Sequence, residues 1–338
     1  MTETRRPRPD TINRHANNIY PALAMLAGMQ LDVFTPLADG PLSGEALARE
    51  LDLRADKLEP LLYALVTAGL LSVQGGRFAN TEESGHFLVK GKPSYIGGQQ
   101  EAFADLWGAT MQTAASIRSG RPQAKHDFAA MSHDELAAFI RSLDAGAAAA
   151  ARRLMRSFDL TGCGHVLDAG GGSGGLAVAL CRQIEGLRAT VADLPSVAAI
   201  TRECIAEAGM AGRVAVQDAN LVAAPPQGPA DGAFDAAVLR SLVQVLSRAD
   251  AAAIIANVAA ALAPGGRLFV IGRVLDDSRL APLDAVASNV MFLNIYDDGQ
   301  AYTEGEHRAW LTAAGCAEIV REELSGGYSI ISGVKAGA

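Results

Sequence analysis

Three aspartates close three successive apolar runs in the C-terminal half of this chain, and between the first two lies a cluster of glycines. The segment "VLDAGGGSGGLAVAL", Val166 to Leu180, reads as a strand ending on Asp168, a glycine turn, and then a helix. Gly170, Gly171 and Gly172 permit positive φ and close backbone approach, and a helix start offers unpaired N–H groups to a polar ligand. Twenty-five residues after Asp168, "VADLPSV" ends a second strand on Asp193, where a carboxylate can accept from both hydroxyls of a ribose. In "GRVAVQDAN" a third strand ends on Asp218, within reach of an adenine amino group. A glycine loop alone is weak, but acids ending three consecutive strands line one crevice, where open α/β sheets bind nucleoside ligands.

Elements of a particular kind must hold those acids. Beyond Leu160, short β-branched runs alternate with alanine-rich helical runs, as a doubly wound parallel sheet requires. Strands are expected at His165–Asp168, Ala189–Ala192, Val214–Gln217, Phe234–Leu239 and Arg267–Ile271, followed by a C-terminal pair. The N-terminal part differs. After a frayed, proline-rich leader, an apolar helix runs from Ile19 to Phe34, Ser43 can cap the next, and "DKLEPLLYALVTAGLL" ends at Gly69. "LSVQGGRFANT" then supplies a β-hairpin. Helix-turn-helix plus wing predicts an otherwise all-helical winged-helix unit over residues 1–95. A helical linker over 96–158 includes the alanine tract "DAGAAAAARRLMRSF", read as a tightly packed bridging helix. A Rossmann-like domain over 159–338 completes the chain.

The 338 residues exceed one ordinary core, and 49% hydrophobic with 20% charged residues describes a globular protein. A net charge of −8 opposes sequence-independent nucleic-acid binding. Cys163, Cys181, Cys204 and Cys316 have no metal-ligand spacing and read as small apolar residues of a reducing compartment, so neither disulfide nor metal is expected. The apolar stretch Ile19–Leu31 is too short to span a bilayer, and a cytoplasmic protein is expected.

The glycine loop, Asp193-Leu194-Pro195, Asp218, "AVLRSLVQVL", "LAPGGRLFVIGRVLDD" and "YTEGEHRAWLTAAG" together resemble the S-adenosylmethionine-dependent O-methyltransferases, a family of caffeate-type plant enzymes and bacterial pigment and antibiotic methyltransferases. The resemblance covers essentially the whole chain. It implies a class I methyltransferase fold and an N-terminal winged helix used for homodimerisation and not for DNA. It further implies that Gly170 to Gly172 cradle the methionine part of S-adenosylmethionine, that Asp193 and Leu194 hold ribose and adenine, that Asp218 and Ala219 flank the adenine, and that Arg240 lies beside the cofactor.

One part of the family pattern is missing. Hydroxyl-methylating members have a histidine base in a segment resembling "LRHVLHDWDD"; ungapped alignment puts Gln244 there, with Val245 and Leu246 as neighbours. Gly272 and Ala301 stand where glutamates support that base, and the remaining histidines of this half, His165 and His307, read as structural. A hydroxyl acceptor needs help losing its proton, whereas a thioether needs only positioning. The expectation is therefore S-methylation of a small acceptor, with Gln244, Arg240 and Tyr302 as catalytic candidates. The S-methyltransferases that act on 4-methylthio-2-hydroxybutyrate in dimethylsulfoniopropionate synthesis are the branch this resembles.

Three rivals remain. They are an O-methyltransferase of a small aromatic hydroxyl whose base is substituted by Ser247, Tyr296, Asp297, Asp298 or Tyr302, a family member that binds the cofactor without methylating, and a winged-helix regulator. Against the last, the recognition-helix candidate carries one lysine and two acids. Phe103, Trp107, Phe139, Leu143, Met291 and Phe292 are expected to line the acceptor pocket, with Arg118, Arg121, Arg141, Arg240 or Arg273 available to an acceptor carboxylate. His126 and His133 could also reach it, though a cap or surface role suits them better.

Overall fold

The computed structural model describes residues 7–92, 94–128, 130–229 and 232–337; the leader's first six residues, expected to fray, lie outside it. The chain divides into two compact units, 1–105 and 106–338.

The N-terminal unit comprises helices α1 (Asp10–Asn17), α2 (Ile19–Gln30), α3 (Gly44–Glu50), α4 (Ala55–Thr67) and α5 (Glu82–Phe87), with strands β1 (Leu42–Ser43), β2 (Leu71–Gln74) and β3 (Arg77–Asn80). Ser43 caps α3 by accepting from the Ala46 N–H, as its position suggested. On α4, Leu58, Leu62 and Leu65 recur at helical spacing and are buried with Phe34, Leu47 and Phe78. Each such side chain contributes about 1.5–3 kcal/mol. The unit is not all-helical outside the wing: β1 adds to the hairpin to make a three-stranded antiparallel sheet ordered β1-β3-β2. Two residues long, β1 was too short to show an alternation.

Helix α6 (Gln100–Thr110) contains the division between the units. Beyond it come α7 (Thr113–Ser119), α8 (His133–Ser142) and α9 (Asp144–Ser157). The alternating half then runs β4 (His165–Ala169), α10 (Gly175–Gln183), β5 (Arg188–Asp193), α11 (Pro195–Glu207), β6 (Val214–Asp218), β7 (Phe234–Arg240), α12 (Arg248–Ala260), β8 (Leu262–Leu275) and α13 (Leu283–Ile295). Strand β9 (Tyr302–Thr303), α14 (Glu304–Ala313), β10 (Cys316–Glu323) and β11 (Tyr328–Lys335) complete it. The sheet order is β10-β11-β8-β7-β4-β5-β6, and β9 pairs with the end of β8. The pairs from β6 through β8 are parallel, and β10 and β11 run antiparallel.

The chain leaves β4 toward β5 on one side and returns beside it as β7 on the other. The carboxyl ends of β4 and β7 therefore flank the switch point, where such sheets leave a crevice. Helix α10 is apolar from Gly175 to Cys181 because it is covered twice: Leu176, Ala177, Leu180 and Cys181 are buried in one cluster with Val166 and Val191 of the sheet and with Ala147, Ala150, Ala151 and Leu154 of α9. Small alanine side chains let the two helices approach closely, which accounts for the alanine tract.

Strand β8 is much longer than the Arg267–Ile271 segment expected of it, beginning at Leu262 and continuing to Leu275. The Pro264-Gly265-Gly266 run reads as a turn in sequence, and Gly265 does take a positive φ of 81°. Gly272 thus lies inside β8 and not after it.

Candidate functional site

The glycine loop is shaped by contacts that leave no room for side chains. A Cβ on Gly171 would stand 2.5 Å from Asp168 Cγ and 2.8 Å from Val191 Cγ1, and one on Gly170 would meet Leu242 Cδ2 at 2.3 Å. Gly170 and Gly172 have φ of 66° and 58°, values that glycine adopts without a steric penalty. The loop is tied from outside at several points. Gly172 N–H donates to Asp193 Oδ2 at 3.0 Å, and Leu194 N–H donates to Asp193 Oδ1 at 2.8 Å. Thr201 on α11 donates to the Gly172 carbonyl at 2.6 Å. Ser173 donates to Asp144 at 2.8 Å. Asp144 and Thr201 were not foreseen: nothing local marks them, and only the fold brings α9 and α11 to the loop.

Asp168 is buried, and its carboxyl is pushed up to about 7. Desolvation is the main cause; Arg240 and the Ala177 N–H pull it down, and Asp193 adds a smaller push upward. Its Oδ2 accepts from the Ala177 N–H at 3.3 Å, but Oδ1 is buried without a partner. An orphaned carboxylate oxygen beside a glycine cradle is a position for a ligand donor such as an ammonium group. Burial also raises Asp193, against the two backbone donors that lower it. A carboxylate has about four lone-pair sites, so two N–H bonds leave room for ribose hydroxyls.

Asp193 and Asp218 are register partners on β5 and β6. Asp218 is exposed and paired with Arg202 at 2.7 Å, so its carboxylate is shared with a surface cation. Ala219 donates to the Asp193 carbonyl at 2.8 Å. Leu194 is 48% exposed and offers an apolar surface next to Asp193, suited to one face of an adenine.

Arg240, at the end of β7, is half-buried, and its guanidinium makes no hydrogen bond to the described residues. Its Nη2 lies 2.8 Å from where a Gly146 Cβ would be. Burial pulls its pKa down, while the acidic groups Tyr328, Asp168 and Asp144 push it up. Of the five candidate arginines it alone combines burial with an uncommitted guanidinium. Arg141 pairs with Glu207 and Glu203. Arg273 donates to the Gly326 carbonyl at 3.0 Å and stacks on Tyr328. Arg118 and Arg121 are exposed.

Several polar side chains near the crevice are engaged elsewhere. Tyr302 is fully buried, edge-on to Trp310, and donates its hydroxyl to the Leu246 carbonyl at 2.7 Å, the surroundings of a core residue. Ser247 caps α12. Asp297 is bound to Lys125. His307 is buried against Trp310 with Nδ1 on the Thr303 carbonyl, and His165 meets Thr190. His133 starts α8 on the surface, beside Glu203.

The expected acceptor-pocket residues are each described by their own surroundings. Phe103 packs with the N-terminal unit's core. Phe139 groups with Phe128 and His126, and Phe292 is core beside Met291. Leu143 is 37% exposed and Trp107 half-buried. Apolar character alone could not separate lining from core.

Gln244 sits in a 3-10 turn after β7 and is 7% exposed. Its Oε1 accepts the Arg273 N–H at 2.7 Å, in space open only because residue 272 is glycine, whose Cβ would stand 2.7 Å from that oxygen. The Gln244 amide thus occupies room that a side chain at 272 would take.

A separate open concavity of about 890 Å3, lined by Leu37, Asn80, Thr81, His86, Phe87 and Lys92 among others, belongs wholly to the N-terminal unit. It holds none of the glycine-loop chemistry. Among the described residues no group of three or more acidic, histidine or cysteine side chains is arranged to hold a metal, and all four cysteines are free thiols. No described helix is long and apolar enough to cross a membrane.

Comparison with known proteins matches residues 110–317 to the O-methyltransferase domain and residues 13–90 to the O-methyltransferase dimerisation domain. A 3-hydroxy-5-methyl-1-naphthoate 3-O-methyltransferase of Streptomyces sahachiroi is 31% identical, over 97% of this chain and 96% of that protein. A tetracenomycin 8-O-methyltransferase of Streptomyces glaucescens is 27% identical over 94% of each. The crystal structure of human N-acetylserotonin methyltransferase in complex with S-adenosylmethionine shares the fold, with a TM-score of 0.82 and 24% identity over the full length of both chains. With its glycine cradle, orphaned Asp168 oxygen and strand-end acids suited to that cofactor, the chain belongs to the S-adenosylmethionine-dependent O-methyltransferase family.

Proposed function

We propose that this protein transfers a methyl group from S-adenosylmethionine to a hydroxyl of a small aromatic acceptor, as a homodimer. The observation that carries the reading is the 31% identity, nearly end to end, to a protein whose name specifies methylation of a naphthoate hydroxyl. Thioether methylation, toward which the missing histidine pointed, has only that absence in its favour, and the named relatives methylate oxygen.

In this reading Gly170, Gly171 and Gly172 admit the methionine part of the cofactor, with Asp168 Oδ1 toward its ammonium and Arg240 beside it. Asp193 takes the ribose and Leu194 the adenine. The cofactor supplies an electrophilic methyl group; the chain binds, orients and excludes water, which can be worth about 7–11 kcal/mol. Apolar side chains exposed along α1 and α2, Ile12, Ile19, Tyr20 and Leu23, support the homodimer.

The test is transfer from labelled S-adenosylmethionine to a hydroxynaphthoate, a catechol, 4-methylthio-2-hydroxybutyrate and a thiol, with products identified by mass spectrometry. A methyl ether of an aromatic acceptor is expected. Labelling of the thioether alone would overturn the reading. Light scattering should give twice the chain mass.

A further inference from the structure

The amide of Gln244 has a fixed polarity. At 2.7 Å its partner is the Arg273 backbone N–H, a donor, so the atom there must be the carbonyl oxygen whichever way the amide is first drawn. Nε2 therefore points away from Arg273. It has no acceptor among the described residues and is not sealed from solvent. A base at this position would present a lone pair to the acceptor hydroxyl and take its proton. Gln244 presents N–H and has no capacity to take one.

We propose that Gln244 is a positioning and specificity-determining residue that selects an oxygen acceptor already ionised in solution, an oxyanion that its Nε2–H binds. This rests on the O-methylation reading above. A charge-assisted N–H···O⁻ bond is about twice as strong as a neutral one, so the amide favours the anion over the parent hydroxyl. The step balances without a proton transfer. A lone pair of the oxyanion forms the O–C bond while the S–C bond breaks, and its electron pair returns to sulfur. One negative and one positive charge disappear together. Acceptors of this class are phenols acidified by an electron-withdrawing neighbour, or carboxylates; the first give ethers and the second give esters.

The glycine at 272 belongs to the same device. Any side chain there displaces Oε1, releasing the amide to rotate and lose its single polarity. Asp168 and Arg240 serve the cofactor side and are not needed for this discrimination.

The experiment measures kcat/KM from pH 5 to 9 for a series of phenols of graded acidity, with a benzoate as the carboxylate arm. For wild-type enzyme the rising limb should move with each acceptor's own pKa, and acceptors above the working pH should fall off about tenfold per pKa unit. Alkaline lability of the product separates ester from ether. In Gln244→His the limb should stop moving and settle near an imidazole value, with weakly acidic phenols gaining rate. Gln244→Glu can keep the Arg273 bond yet offers an acceptor and a negative charge; it should lose at least 30-fold with acidic phenols.

A second readout does not depend on turnover. With S-adenosylhomocysteine bound, a nitrophenol should bind to wild-type enzyme as its absorbing phenolate below its free pKa, and to Gln244→Glu as the neutral phenol. A wild-type limb fixed at one pH for all acceptors would overturn the proposal and leave O-methylation standing. Methylation of sulfur or nitrogen only would overturn both.

Discussion

The two halves of the crevice obey different rules. On the side of β4, β5 and β6 stand a glycine loop without room for side chains, a buried Asp168, and Asp193, which holds the loop through the Gly172 N–H and its own neighbour through the Leu194 N–H. On the side of β7 and β8, Gln244 and Gly272 stand where the resemblance leads one to expect a base and a supporting glutamate, and the Gln244 amide oxygen lies against Gly272. The cofactor is common to the family, so its side must satisfy one molecule through backbone geometry. The other side answers to an acceptor particular to this protein.

The largest effect should come from filling the cradle. Gly171→Ala places a methyl group 2.5 Å from Asp168 Cγ, and overpacking of this kind costs about 1–3 kcal/mol. Part of the strain moves the loop itself, so affinity for S-adenosylhomocysteine by calorimetry should fall about 100-fold. Unchanged affinity would mean that the loop does not hold the cofactor. Gly272→Ala is the counterpart on the other side. It should lower kcat/KM for the acceptor about 10- to 30-fold through loss of one amide contact while leaving cofactor affinity within twofold. If both constants moved together, the two halves would be one coupled unit and the contrast would fail.

This contrast also explains what the sequence could and could not disclose. Glycine and aspartate at strand ends act through local backbone shape, so Gly170 to Gly172, Asp168 and Asp193 are legible from a short stretch of chain, as are most of the parallel strands. Thr201 and Asp144 reach the same loop from α11 and α9 through tertiary packing and leave no local mark. Tyr302 reads in sequence as a side chain near the acceptor; only the structure shows its hydroxyl donated to the Leu246 carbonyl. Strand β8 was underestimated because proline and glycine at its start imitate a turn. The pocket residues are the least legible for a general reason: an aromatic side chain reads alike whether it lines a cavity or, like Phe292, packs in an apolar cluster.

A smaller effect concerns Asp168 and pH. Its folded pKa of about 7 lies above the unfolded value near 3.9. The fold therefore favours the neutral acid, and the stability this gives is complete below about pH 4 and lost as pH rises through about 7. In cofactor-free protein, Asp168→Asn keeps a neutral side chain at every pH. Its melting temperature should fall less than that of wild type between pH 5 and 8, by on the order of a few degrees. Parallel curves would show that Asp168 is ionised throughout, held by Arg240 more firmly than its burial allows. Either result bears only on the cofactor half, since Gln244 has no titrating group.

The smallest effect should separate a structural hydroxyl from a catalytic one on the acceptor half. Tyr302→Phe removes one hydrogen bond and leaves the Leu246 carbonyl short of a donor, at a cost of about 1 kcal/mol. The ring's edge-on contact with Trp310, 4.9 Å between centroids, and the cation of Arg248 over its face are retained. A drop of about 2 °C in melting temperature is expected, with kcat and KM unchanged at each pH. If kcat instead fell tenfold and its pH profile lost a limb, the phenol would be reaching the acceptor. The family's base would then have moved from the turn after β7 to the end of β9, and Gln244 would no longer need an ionised substrate.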